Sequence, residues 1–157
     1  MKPETLRRIM NIWPPFLFSG IRINKVSRDW RHVEVQLKLH RWNANYFGTQ
    51  FGGHMFKMCD PFWAILATER LGKAYHVWDA AGDIEFISPG RETVYAVFDF
   101  DDAARDEIVA ATADGEKHLR WFENEIRTAA GVLVARTRKQ LYVRRKDKGR
   151  QNVAASA

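Results

Sequence analysis

Cysteine occurs once, at Cys59, so no disulfide can form within the chain. A lone thiol fits a reducing compartment, and a cytoplasmic location is expected. Long apolar runs are missing: no stretch approaches the roughly 20 residues that a membrane-spanning helix needs. The N-terminus lacks a basic segment followed by an apolar one, so no secretory signal is read there. Internal repeats and linker-like composition breaks are absent as well. What remains is 157 residues, 46% hydrophobic and 13% aromatic, enough for one domain with its own core. That domain is expected over residues 1–145.

Charge is unevenly spread. The formal net charge is +6, and residues 144–157 hold Arg144, Arg145, Lys146, Lys148 and Arg150 against Asp147. This tail therefore carries +4 and the body only +2. A basic body would point to nucleic acid, whereas a basic end reads as a solvated tail. Residues 146–157 are expected to be disordered, and neither nucleic acid nor membrane is an expected partner.

Periodicity supplies the elements. Residues 3–13 place Leu6, Ile9, Met10 and Trp13 on one helical face, and Pro14-Pro15 stops that helix. Strict alternation marks strands at 20–27 and 31–40, with Asp29-Trp30 between them. Further strands are read at 75–87, 93–100, 118–128 and 131–145, with turns at Ser88-Pro89-Gly90 and Ala129-Ala130-Gly131. A short helix is read at 101–115, begun by Asp101-Asp102 and ended by Gly115. Residues 52–71 read as one long helix. Strands grouped around a single long helix predict an α+β fold, with an antiparallel sheet curled over that helix.

The long helix contains an anomaly. Met55, Cys59, Phe62 and Leu66 recur at i, i+4, i+7 and i+11, and Phe56, Trp63, Ala64 and Ala67 cover much of the rest. A helix apolar on nearly all sides is a buried one. Asp60 sits inside it, where an ionised carboxylate is costly unless bonded or beside a cleft, and where burial would raise its pKa. Two readings stay open. Asp60-Pro61 is a good helix start, with Asp60 as the cap. Alternatively the helix starts at Gly52-Gly53, and Pro61 lies inside it, costing about 3 kcal/mol and freeing the Lys57 carbonyl. A paired-glycine start lets a ligand oxygen approach free N–H groups at the positive end of the helix dipole.

The series Asn45, Gly48, Phe51, Gly52, Gly53, Asp60 resembles that of the hotdog-fold acyl-CoA thioesterases of the PaaI type. Their motif runs Asn-x-x-Gly-x-x-His-Gly-Gly to an acidic residue seven positions past the second glycine. The strand ending in Ser88-Pro89 matches too, and the likeness covers roughly residues 20 to 144. Phe51 replaces the usual His, and the helix near 102–114 is an insertion, so the chain resembles a divergent branch. The resemblance implies that Gly53 and Gly52 offer N–H groups to the thioester carbonyl. It implies Asp60 as general base or nucleophile, Asn45 orienting water or carbonyl, and Asp79 positioning the attacking water. It also implies that Phe51, Gly52 and His54 touch substrate. A homodimer or a dimer of dimers is implied, with Gly52, Gly53 and Asn45 of one chain meeting Asp60 and Asp79 of its partner. Coenzyme A enters only as part of the substrate, and no separate cofactor is expected.

Other residues have plainer readings. Val77, Asp79, Ala81, Asp83, Glu85 and Ile87 alternate on one strand face, and Asp83 and Glu85 are expected to pair with Arg138 and Arg136. A metal is not expected, because no histidine accompanies these carboxylates. His54 either substitutes for the missing imidazole or points to solvent. Cys59 reads as a small packing residue. Trp13, Trp42, Trp63 and Trp78 read as core or subunit interface. The expected function is acyl-CoA thioester hydrolysis. The alternatives are a non-catalytic acyl-binding hotdog protein, a thioester hydratase, for which only His54 is at hand, and a nucleic-acid binder, which rests on the basic tail alone.

Overall fold

Alternation of apolar and polar residues produces six strands in the computed structural model, which describes residues 1–146. They are β1 (Ile21–Val26), β2 (His32–Leu37), β3 (Tyr75–Phe86), β4 (Val94–Asp99), β5 (Lys117–Thr128) and β6 (Leu133–Arg145). Every neighbouring pair is antiparallel, in the order β1-β2-β4-β5-β6-β3. The helices are α1 (Pro3–Ile12), α2 (Pro14–Leu17), α3 (Gly52–Cys59), α4 (Phe62–Leu71) and α5 (Asp102–Ala111). α3 and α4 run on as one kinked central helix, and the sheet curls over it. This is the expected α+β architecture.

The central helix is held by burial. Met58, Phe62 and Leu66 are fully buried in one core with Val35, Phe98 and Leu141 of the sheet, and the Phe62 ring meets that of Phe98. Each such side chain contributes roughly 1.5–3 kcal/mol. The face predicted from the spacing, Met55, Cys59, Phe62 and Leu66, is buried along its whole length. Trp63 is also core, stacked on Phe122 with ring centroids 4.5 Å apart. Trp13, Trp42 and Trp78 are exposed in the protomer.

Several expectations need correction. Pro14 does not only end α1: its fixed φ suits a first turn, and it begins α2. The long helix is interrupted at Asp60-Pro61, although both residues keep right-handed helical dihedrals. Pro61 has no N–H to offer the Lys57 carbonyl, so the Asp60 N–H takes that carbonyl instead, at 3.1 Å. The Ile65 N–H then bonds the Pro61 carbonyl at 3.0 Å and restarts the ladder. Among the described residues the Asp60 side chain takes its hydrogen bond from Lys139 rather than from a helix N–H. The β3 face is also split. A bulge at Ala80 puts Asp79 opposite Leu141 and Ala81 opposite Gln140, so the inward set changes from Val77 and Asp79 to Gly82 and Ile84. Arg144 and Arg145 belong to β6 rather than to a tail, and the Lys146 N–H still bonds the Ala74 carbonyl at 2.8 Å. The expectation for the rest of the tail lies outside the described residues. Among the described residues no helix is long and apolar enough to cross a membrane.

The two sheet edges are treated differently. Along β1 the Asn11 side chain of α1 donates to the Ile23 carbonyl at 3.0 Å and accepts the Ile23 N–H at 2.7 Å. The carboxamide takes the place of a neighbouring strand there, and the edge is covered. Along β3, Ala80, Ala81 and Gly82 are exposed. Replacing Asn11 by Ala strips both partners from Ile23, and the expected loss is about 1–3 kcal/mol of unfolding free energy in urea. An unchanged midpoint would mean that water serves Ile23 as well as Asn11 does.

Candidate functional site

The loop before α3 is built by its own side chains. Gly48 adopts a positive φ of 73°, which lets the turn from Asn45 close with the Gly48 N–H on the Asn45 carbonyl at 3.0 Å. The Asn45 side chain accepts the N–H groups of Phe47 and Thr49, both at 3.0 Å, and donates to Thr49 Oγ1 at 2.9 Å. Its polar atoms are therefore committed to the loop, and Asn45 shapes the site rather than orienting a water. Gln50, fully buried, donates to the carbonyls of Leu37 and Glu92 and anchors the loop to the sheet.

α3 begins where this loop delivers it. Phe51 is the capping residue, and its side chain makes no capping bond. The N–H groups of Gly52 and Gly53 have no partner among the described residues. A Cβ on Gly52 would lie 2.7 Å from the Phe86 ring, so glycine permits the close approach there. A cavity of about 390 Å³ opens beside this helix start, lined by Asn45, Gly52, Met55, Phe86, Ile87 and Ser88 among others. Phe51 folds its ring over Gly53 and meets the His54 ring edge-on at 5.0 Å. His54 Nδ1 is buried without a partner, and burial, with Lys57 nearby, lowers the imidazole below its ordinary range. His54 stands beside the helix, outside the set that lines the cavity.

The carboxylate end of α3 is organised by a residue that sequence reasoning missed. Lys139 of β6 is almost fully buried, and its Nζ donates to Asp60 Oδ1 at 2.6 Å and lies 3.3 Å from Asp79 Oδ2. The Phe56 ring covers the ammonium, 5.1 Å from its centroid. Asp60 itself is more than half exposed, so the expected burial of this carboxylate falls on Asp79 instead. Burial pushes the Asp79 carboxyl above its ordinary range, the pull of Lys139 notwithstanding, and the charge of Asp60 adds to the rise. Asp79 Oδ1 is buried without a partner. Burial alone would lower Lys139, but the two carboxylates outweigh it and hold it above the usual lysine range. Cys59 packs beside the cluster, its thiol pushed up to about 12 by burial, as a packing role requires.

Each protomer therefore separates two groups of residues. Asn45, Gly52 and Gly53 stand at the start of α3, and Asp60 and Asp79 at its end. Eight residues of helix put these ends about 12 Å apart. Asp83 and Glu85 point to the other sheet face, where Arg138 pairs with Asp83 at 2.7 Å and Arg136 reaches Glu85 at 3.7 Å, as expected. The bulge thus keeps them away from Asp79.

A family model described as a domain of unknown function (DUF4442) matches residues 4–143. No curated protein matches the chain. Solved structures do. A protein of unknown function from Pseudomonas aeruginosa, described as a probable thioesterase, superposes with a TM-score of 0.82 at 16% identity, over 93% of this chain and 97% of its own. A thioesterase from Haemophilus influenzae gives 0.69 at 15% identity, covering 96% of each chain. Thioesterase superfamily member 2 from Mus musculus gives 0.62 at 14% identity, over 89% of this chain and 96% of its own. At these identities the likeness shows the hotdog fold.

The raised Asp79 carboxyl sets a stability test. A folded-state pKa above the unfolded value means that ionised Asp79 costs stability, and the cost appears as pH rises through the folded pKa. Asp79→Asn is therefore expected to raise the melting temperature at neutral pH. The gain should vanish below about pH 4, where the carboxyl is protonated in both states. A lower melting temperature at neutral pH would mean that pairing with Lys139 outweighs burial.

Proposed function

The chain belongs to the DUF4442 family, and on that premise we propose that it is a thioesterase that hydrolyses an acyl-CoA thioester at a site shared by two copies of the chain. The reading is carried by one observation: the unpartnered N–H groups of Gly52 and Gly53 at the start of α3, where Gly52 lines a cavity with Met55, Phe86 and Ile87. Amides so placed suit a carbonyl oxygen that becomes an oxyanion, a contribution of roughly 3 kcal/mol per donor in comparable sites. The cavity accepts the acyl group.

The chemistry then needs a base. Asp60 is the exposed carboxylate of the cluster, and its Oδ2 has no partner among the described residues. Water adds to the thioester carbon and its proton passes to Asp60. The oxyanion rests on the two amides and collapses to the carboxylic acid, and the thiolate of coenzyme A departs. Direct attack by Asp60 on the same carbon is the variant route. Since about 12 Å of helix separates base from amides, one copy supplies the amides and the other supplies Asp60 and Asp79. The bare β3 edge suits the pairing of two sheets. A second reading, acyl binding without turnover, is favoured by the Asp60–Lys139 ion pair, which already occupies one oxygen of the carboxylate.

A hydrolysis screen across acyl-CoA chain lengths, read by free thiol release, separates these readings. Turnover is expected, and Asp60→Asn should reduce it by roughly two to four decades in a protein that still folds. Tight binding without thiol release would favour the acyl-binding reading, and an Asp60→Asn protein as fast as wild type would remove Asp60 from the chemistry.

A further inference from the structure

Lys139 occupies an inward position of β6, between Thr137 and Leu141, where the strand otherwise feeds the core. Three features of the chain make room for it. Gly82 is its partner across β3 and β6, and a Cβ on Gly82 would lie 2.8 Å from Lys139 Cδ. The bulge at Ala80 turns Asp79 to the same side. The Phe56 ring closes over the ammonium. A buried cation is costly unless paired, and this one is paired from two separate elements.

We propose that Lys139 is the positioning residue of the carboxylate half of the site, clamping Asp60 at the end of α3 to Asp79 in β3. This rests on the thioesterase reading above. The clamp takes Asp60 Oδ1 and leaves Oδ2 open, so one orientation of the carboxylate is selected from those an exposed side chain would sample. It also sets one cation between two neighbouring carboxylates. Oxygens that share one Nζ at 2.6 and 3.3 Å are no more than about 6 Å apart, and without the cation their repulsion favours a shared proton. The charged groups that face Lys139 are Asp60 from α3 and Asp79 from β3. Cys59 is neutral at working pH, and neither the inward β6 neighbour Thr137 nor Phe122, the partner of Lys139 on β5, carries a charge.

The test compares wild type with Lys139→Met. kcat and KM are followed against pH with an acyl-CoA thioester, and the aspartate carboxyls are titrated by carbon-13 NMR. The variant is expected to lose tenfold or more in kcat with KM within about threefold. Its acid limb, and the titration of one carboxyl, should move to higher pH. A loss of activity with the acid limb and titration unmoved would reduce Lys139 to a packing residue and overturn the proposal. Unchanged kcat would overturn it too. Should Lys139→Met fail to fold, Asp60→Asn keeps the clamp testable, because it leaves the core untouched. There the Asp79 titration should move to lower pH, as a repelling charge is lost, and an unmoved titration would overturn the clamp. Should wild type hydrolyse no thioester, the functional reading fails on its own, and the NMR titrations still decide whether the clamp exists.

Discussion

An α-helix rises about 1.5 Å per residue, and that rise holds Gly52 and Asp60 about 12 Å apart. The rest of the account follows from this separation. The N–H groups that could steady an oxyanion and the carboxylate that could activate water stand on one rigid element, and the rigidity keeps them from meeting. Burial of Met58, Phe62 and Leu66 under the sheet prevents the helix from bending to bring them together. A site that uses both ends must draw them from different copies. The kink at Asp60-Pro61 serves the same arrangement, because it ends the first helical segment where a carboxylate can reach the sheet and meet Lys139.

The sheet edges agree with that requirement. Asn11 saturates the backbone of Ile23 on β1 and discourages a second sheet from adding there. Among the described residues β3 has no such cover at Ala80, Ala81 and Gly82, and it carries Asp79. Joining two copies along β3 would bring the acidic cluster of each to the seam, beside the exposed Phe86 that borders the helix-start cavity. Edge and chemistry thus converge on the same strand.

Much of this was legible in the sequence. Apolar periodicity located the central helix and its buried face, and alternation located all six strands. The spacing from Asn45 to Asp60 marked the two ends of α3 on which the proposed site rests. Three things were not legible, each for a physical reason. The bulge at Ala80 inserts one residue without changing composition, so the period-two reading placed Asp79 on one face with Asp83 and Glu85. The exposure of Asp60 depends on how the helix kinks at Pro61, which residue types alone do not fix. Asn45 forms its bonds within its own loop, whose geometry appears only once Gly48 turns the backbone. Lys139 left a signal that went unread. Ala135, Thr137, Leu141 and Val143 alternate inward along β6, and a lysine at the position between them is an inward charge in need of a partner.

The claim that two copies share each site is tested most directly by mixing subunits. Asp60→Asn protein, which lacks the base, and Asn45→Ala protein, whose helix-start loop loses the bonds that shape it, are unfolded together and refolded. Half of the dimers then contain one chain of each kind, and each of these holds one intact site. The account predicts recovery toward about a quarter of wild-type hydrolysis from two nearly inactive proteins. No recovery, with mixed dimers present by mass spectrometry, would place the whole site within one chain and contradict it.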